Sequence, residues 1–476
     1  MSRLIDASRL AATRFPGPPA LAAAGLMLWA IVLSPAPLAA QQTEGADGPS
    51  RVPLTLRDAI DEATSRNPGH RIVGSRADMA RAGARSADSR LLPALEAGVG
   101  ATRSDDPVFA FGTRLRQERF TQADFALDAL NRPDPLTDWT MDVGLRWDVL
   151  DPTAWAGRSA ARSRVDAANW KTSWSRERTE FRTKALYYHA VGTDSALRAA
   201  EVDESAARAA AELFRRREER GLLTRADVLQ AEAELRAAEA RRIAAERNRD
   251  RAREELALHL GWDIDRLPVP TDTLTAPPVP RWGSDAPAGR VSQRADVRSL
   301  GAAREAASAD ASRAGLSFLP RLEGFAAWSS HADEAFGTDG TDWTAGLALR
   351  WTVFAGFGRT ADRQRATATR EIARIQYEEA VRSASAEVEQ ARRDVVASRS
   401  GLEATRAAAA AAEEARLLMR RRFEEGLVTA AAFLQSEARA ADARSRAVGA
   451  LVDYNVALAR LELVDPGAER HEGESE

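Results

Sequence analysis

The chain repeats one large unit in tandem, and this duplication limits the folds open to it more than any single residue does. Residues 215–224 read RRREERGLLT and return 205 positions later as RRRFEEGLVT. Upstream, the DWT motif that begins at Asp138 returns at Asp342, a shift of 204, and the Leu-Pro pair at Leu92 returns at Leu319, a shift of 227. The order of the pieces is the same in both copies. A duplication of this kind predicts two similar halves.

Four short segments alternate between apolar and polar residues, as β-strands with one apolar face do. They are residues 95–102, 139–149, 321–329 and 343–354. Trp139 and Trp147 lie eight residues apart on one predicted strand face, about 26 Å along a strand. With tilt, this height is close to the ~25 Å apolar band of an outer-membrane barrel, which has aromatic residues at both edges. Trp343 and Trp351 repeat the spacing, so we expect all four tryptophans at the membrane interfaces. A soluble sheet with one packed face is the alternative.

Long helices follow each strand pair. Residues 152–220 are rich in Ala, Arg and Glu, which predicts one helix about 100 Å long at about 1.5 Å per residue. Gly221 ends this helix, and a returning helix is predicted from about Arg225 to Leu260, which makes a helical hairpin. In the second copy, Val388 and Leu402 belong to a seven-residue apolar repeat typical of a coiled coil. The fold class is therefore α+β, with four strands and long coiled-coil helices in each chain.

The domain boundaries follow from composition. Residues 1–40 have the basic start, apolar run and small-residue cleavage site of a secretory signal peptide. An uncleaved N-terminal anchor is the alternative. The remaining parts are a first repeat at 41–262, a Pro-rich linker at 263–290, a second repeat at 291–463 and a disordered acidic tail at 464–476. Within the first repeat, residues 41–53 and 103–138 are predicted to be loops.

Composition argues against several classes of function. The formal net charge is −3, without the basic excess of a nucleic-acid-binding surface. The chain has no cysteine, and its five histidines lack ligand spacing, so we expect no metal or other cofactor. Acidic residues are spaced as on solvated helix faces, and no catalytic motif is found, so we do not expect an enzyme. A periplasmic coiled-coil scaffold or adaptor without a membrane barrel would suit the helical hairpins and is the alternative function.

If the chain enters a bilayer, the strands must cross it, because no segment after residue 40 is long and apolar enough for a spanning helix. Four strands cannot close a barrel with a lumen. Open strand edges inside a bilayer leave backbone groups unpaired, which is costly. Several chains would therefore have to pool their strands, and three chains would supply twelve.

The order of these pieces resembles the TolC-like outer-membrane efflux proteins over about residues 54–463. The resemblance rests on Leu-Pro before each first strand, LRW in each second strand, the two Gly-Leu-x-Thr turns and the Asp453-Tyr454-Asn455 segment. It implies a homotrimer in outer-membrane lipid, with a 12-stranded β-barrel continuous with a periplasmic α-helical barrel. It also implies a passive exit duct for a tripartite efflux pump or a type I secretion system. A periplasmic adaptor would bind it directly, and an inner-membrane transporter would act through the adaptor.

In that family the turns between long and returning helices form the periplasmic tip, where the adaptor docks. The resemblance assigns docking to Arg217, Gly221, Leu222, Leu223, Thr224, Arg422, Gly426, Leu427, Val428 and Thr429. The family commonly narrows the tip with acidic side chains after the second turn, but Ala432 and Gln435 stand there in this chain. The candidate aperture residues are therefore Asp227, Gln230 and Gln435. Asp227 has a second interpretation, because a carboxylate at a helix N-terminus is also favoured by the helix dipole.

Overall fold

The computed structural model describes residues 50–280, 282 and 291–465. The predicted signal peptide lies outside the described residues, as do most of the linker after residue 280 and the predicted tail from residue 466 onward. The strands are β1 Ser50–Leu54, β2 Ala94–Ser104, β3 Leu136–Leu150, β4 Arg266–Pro270, β5 Arg321–Ala332 and β6 Gly340–Arg350. The helices are α1 Leu56–Arg66, α2 Pro68–Ser89, α3 Pro107–Arg116, α4 Leu127–Asn131, α5 Pro152–Glu219, α6 Arg225–Leu260, α7 Ala295–Leu316, α8 Gly358–Glu424 and α9 Ala430–Val464.

The four predicted strands form one antiparallel sheet in the order β2-β3-β5-β6. Trp328 lies opposite Val143 on one side and Trp343 on the other. Because directly opposed residues share a face, these side chains lie on one apolar face, and Asp142 with Ser329 lies on the other, polar face. The last strand ends at Arg350, four residues before the predicted end. Trp351 therefore lies just beyond the sheet.

A short parallel pair of strands, β1 with β4, was not predicted. The prediction of a loop at residues 41–53 is wrong for residues 50–53, and β4 lies inside the segment assigned to the linker. Both strands contain proline, which ordinarily argues against a strand but is tolerated at sheet edges. Leu54 and Leu267 of this pair are buried against Tyr187 of α5 and Leu260 of α6. The pair therefore ties the start of the described chain to the first helical hairpin.

The long helices match the prediction closely. α5 and α8 contain 68 and 67 residues, each about 100 Å of helix at about 1.5 Å per residue. α5 packs along α6, α8 packs along α9, and α9 also contacts α5, so the two hairpins lie side by side. The seven-residue repeat is confirmed, because its members in α8 are buried: Ala384, Val388, Ala391, Val395 and Leu402. They pack against Tyr454, Leu458 and Leu461 of α9.

Two predicted irregular segments contain ordered structure. The connection between β2 and β3, predicted as a loop, contains α3, a 3-10 turn at Gln122–Phe125 and α4. α3 starts with Asp106 as its N-cap and Pro107 at its first position, a combination that favours the start of a helix. At the other end, α9 continues to Val464, and the buried Asp465 accepts a hydrogen bond from Arg392 at 2.7 Å. The prediction of disorder from residue 464 is therefore wrong for Val464 and Asp465.

Candidate functional site

The two turns that join long and returning helices have the same backbone geometry. Gly221 and Gly426 have φ angles of 71° and 78°, in the left-handed region that glycine enters without steric cost. Thr224 and Thr429 then cap the returning helices, since each side chain accepts a hydrogen bond from the backbone N–H three residues later. The predicted equivalence of the two tips thus extends to their hydrogen bonds.

Each turn presents one aliphatic side chain outward and one inward. Leu222 and Leu427 directly follow the glycines and are 67% and 68% exposed. Leu223 and Val428 come next and pack against a buried cluster behind the turns. The two tips therefore carry matching exposed leucines.

The buried cluster behind the turns, here called the tip core, joins the two hairpins. It consists of Ala210, Ala211, Phe214, Val228, Ala231, Phe423, Ala430, Phe433 and Leu434. The ring of Phe423 from α8 stacks on Phe214 of α5 at 5.0 Å and on Phe433 of α9 at 4.9 Å between centroids. Such pairs contribute about 0.5–1.5 kcal/mol beyond their buried area. The tips are therefore held as one unit.

The two arginines predicted to bind the adaptor have different surroundings. Arg217 donates hydrogen bonds to the carbonyl oxygens of Phe423 and Glu424, both at 2.7 Å, and its guanidinium lies 4.7 Å from the Phe423 ring centroid. It therefore caps the C-terminal end of α8. Its counterpart Arg422 is exposed, and its side chain has no hydrogen bond or ion pair within the described part of the chain.

The candidate aperture residues do not form one cluster. The Asp227 carboxylate accepts hydrogen bonds from the backbone N–H of Thr224 at 2.9 Å and from its hydroxyl at 2.7 Å, which completes a capping box. These hydrogen bonds lower the pKa of Asp227. Gln230 and Gln435 instead line one open groove between α6 and α9, together with Glu234. The structure thus supports the helix-capping interpretation of Asp227 and places the two glutamines in the same groove.

The four tryptophans predicted at the membrane interfaces have different surroundings. Trp147 and Trp351 donate their indole N–H to the carbonyl oxygens of Leu91 and Phe318, both at 3.1 Å. Leu91 and Phe318 occupy equivalent positions just before the first strand of each copy. Trp343 is 77% exposed on the apolar face. Trp139 is only half-buried.

Trp328, which is not among the predicted interface residues, pairs directly with Trp343 across β5 and β6. The alternation of residues 321–329 could have identified it, since Trp328 occupies an apolar position of that strand. The pair gives the apolar face of the second copy two adjacent indoles.

Matching ion pairs lie on the polar face, at the end of the sheet nearest the long helices. Arg146 pairs with Glu96 in the first copy, and Arg350 pairs with Glu323 in the second. The apolar face, by contrast, presents aliphatic and aromatic side chains without ion pairs. One charged face and one exposed apolar face is the pattern typical of strands in a membrane barrel.

Within residues 50–280, 282 and 291–465, no helix is both long enough and apolar enough to span a membrane. The same residues contain no group of three or more His, Cys, Asp or Glu side chains placed to hold a metal ion.

Comparison with known proteins gives both a family and a fold. The sequence profile described as "Outer membrane efflux protein" matches residues 59–262 and 291–465. A search of curated proteins found no match.

Several solved structures share the fold. The outer membrane protein VceC of Vibrio cholerae has 22% identity and a TM-score of 0.73, over 87% of this chain and 97% of that one. The CmeC outer membrane channel of Campylobacter jejuni has 15% identity and a TM-score of 0.74, over 88% and 87%. The MtrE outer membrane channel of Neisseria gonorrhoeae in its open state has 19% identity and a TM-score of 0.72, over 87% and 89%. At these identities the likeness concerns the fold.

Proposed function

The chain belongs to the outer membrane efflux protein family, and from this we propose that three copies form a passive exit duct of a tripartite efflux pump or a type I secretion system. Membership in the family places the chain in the outer membrane and favours a channel over a periplasmic scaffold. The long helices would extend about 100 Å into the periplasm as an α-helical barrel. CmeC and MtrE are described as outer membrane channels, and no catalytic step is part of the proposal.

The observation that best supports a trimer is the sheet, which has two different faces and two unpaired edges. β2 and β6 are its edge strands, each 11 residues long. A strand edge inside a bilayer has to be paired, because lipid offers no hydrogen bonds to the backbone. Pairing β6 of one copy with β2 of the next satisfies both edges. Three copies would close a 12-stranded barrel with the apolar face towards lipid and Trp139, Trp147, Trp343 and Trp351 near its borders.

The helices support the same arrangement. Towards the tips they follow the order α6-α5-α9-α8 across one layer. The two outer helices expose apolar side chains: Leu229, Ile243 and Leu258 on α6, and Ile372, Ile375 and Val396 on α8. Apolar side chains exposed along the flanks of a helical layer favour contact with another helix. In the proposed trimer, α6 of one copy would pack against α8 of the next.

The tips would bind a periplasmic adaptor, and an inner-membrane transporter would supply energy through it. Leu222, Leu427 and Arg422 are exposed there and free to contact a partner. Arg217 supports the tip from behind by capping α8. The uncharged Gln230 and Gln435 would line the narrow end of the duct beside Glu234. Asp227 would contribute mainly by capping its own helix.

Electron microscopy of the mature protein purified in detergent tests the assembly. The expected particle is a three-fold cylinder with a helical part about 100 Å long and a detergent belt at one end. A monomer that stays soluble without detergent, or an elongated dimer without a belt, would contradict the duct.

A further inference from the structure

The connection between β2 and β3 folds back over the polar face of the sheet. Gln117, directly after α3, donates hydrogen bonds to the carbonyl oxygen of Thr137 at 3.0 Å and to Asp138 Oδ1 at 3.1 Å. The carbonyl of Arg116 lies so close to Gly340 that a Cβ added there would overlap it. Gly340 pairs with His331, and His331 pairs with Thr140 on the polar face. α3 therefore covers this face at the end of the sheet far from the long helices.

A small polar network, here called the latch, holds this connection in place. It consists of Gln117, Asp138, His331 and Asp342. His331 Nδ1 lies 2.9 Å from Asp138 Oδ2, and His331 Nε2 lies 3.6 Å from Asp342 Oδ2. Gln117, Asp138 and His331 are 1%, 3% and 7% exposed. An ion pair between Arg119 and Asp333 adds a second link to the sheet.

The latch is incompletely satisfied. Gln117 Oε1 and Thr113 Oγ1 are buried under α3 without a hydrogen-bond partner among the described residues, and unpaired buried polar atoms destabilise the state that contains them. On the outer side of the connection, Val108, Phe125 and Leu127 are 81%, 63% and 77% exposed. In the sheet, α3 contacts mainly β3 and β6, so few contacts oppose opening.

The connection also has its own small core, which lets it move as a body. Phe120 lies between Phe111 and Phe125, with ring centroids at 4.8 and 5.1 Å in edge-to-face geometry. Arg114 pairs with Asp124 inside the same segment. These contacts stay within the connection and would survive its release from the sheet.

We propose that this connection is a lid over the outer mouth of the duct, held closed by the latch. The proposal rests on the trimeric barrel proposed above, in which the polar face lines the lumen. Twelve strands about 4.8 Å apart and tilted by about 40° enclose a radius of roughly 12 Å. A helix of ten residues is about 15 Å long. Three such lids fill most of that opening, and the duct conducts fully only when they are released.

A pair of engineered cysteines tests the lid in planar bilayers. The chain has no cysteine of its own, so Gln117→Cys with Asp138→Cys adds a single pair per copy. In reductant the latch is absent, and the single-channel conductance should exceed that of the unaltered protein by at least about two-fold. Oxidation, or a short bis-maleimide linker, should bring it back to or below the unaltered level. Equal conductance before and after the link forms would overturn the lid.

The matched control is Asp138→Cys alone, which cannot form the link within a chain and should not respond to oxidant. If the double variant does not assemble, Gln117→Ala carries the test, since it keeps the contact of Asp138 with His331. It should raise the conductance, and an unchanged value would overturn the lid. Failure of the unaltered protein to form three-fold particles or conducting channels would instead contradict the proposed function itself.

Discussion

At the scale of single residues, the two equivalent tip arginines allow the stability of the tip and the binding of the adaptor to be tested separately. Arg217→Ala removes two charge-assisted hydrogen bonds to the end of α8, which should destabilise the tip by about 1.5–3 kcal/mol. Faster proteolysis at the turns would report this loss. Arg422→Ala is the matched variant, since that side chain is exposed, and it should leave proteolysis unchanged while weakening adaptor binding. Equal protease sensitivity of the two variants would contradict the capping role of Arg217.

His259 should make stability depend on pH. Burial is the main cause that lowers the pKa of His259, which lies 3.1 Å from the Thr183 hydroxyl and accepts a hydrogen bond from Asn67 at its carbonyl oxygen. Because the folded pKa is below the unfolded value of 6.5, the unfolded state gains the proton first as the pH falls. Stability should be full above pH 6.5 and decline below it.

Thermal unfolding at pH 7.5 and 5.5 measures this effect. His259→Gln, which cannot take up the proton, should show a smaller drop in Tm than the unaltered protein. The same drop in both proteins would exclude His259 as the cause.

At the scale of elements, the buried seven-residue repeat between α8 and α9, here called the seam, should contribute most to stability. Leu402 is fully buried between α8 and α9, so Leu402→Ala should cost about 2–5 kcal/mol through lost burial and a cavity. Glu403 is the next residue and forms a surface ion pair with Arg399. Glu403→Ala should cost less than about 1 kcal/mol. Chemical unfolding of both variants measures their free energies of unfolding. Similar decreases in the two variants would contradict the dominant contribution of the seam to stability.

What could be predicted at this scale depended on how local the signal is. The start of α5 and the ends of α5 and α6 follow from Pro152, Gly221 and Gly261. Each of these residues restricts or frees the backbone dihedral angles at its own position. The pairing of β1 with β4 joins residues more than 200 positions apart and includes prolines, so no local pattern revealed it. Asp227 had two interpretations until its hydrogen bonds to Thr224 were located. The latch around His331 depends on α3 folding back, which the loop prediction excluded.

At the scale of the whole molecule, the orientation of the sheet is the decisive point. Leu347 lies on the apolar face and is 70% exposed, whereas Thr344, three residues earlier, lies on the polar face. Leu347→Arg should reduce insertion into the outer membrane, because an arginine facing lipid near mid-membrane costs about 2–4 kcal/mol per copy. Thr344→Arg should insert normally, since it would face the lumen. The amount of trimer in the outer-membrane fraction measures the insertion of both variants. The reverse ranking would mean that the polar face contacts lipid and the apolar face lines the lumen.

The difference between Arg217 and Arg422 also bears on the symmetry of a partner bound at the tips. Three chains with two tips each would offer six seats of nearly equal shape, so a ring of six partner subunits would meet quasi-equivalent contacts. The seats nevertheless alternate in chemistry, because one arginine of each chain is tethered to α8 and the other is free. The subunits of such a ring would therefore divide into two classes of environment, even if they share one sequence.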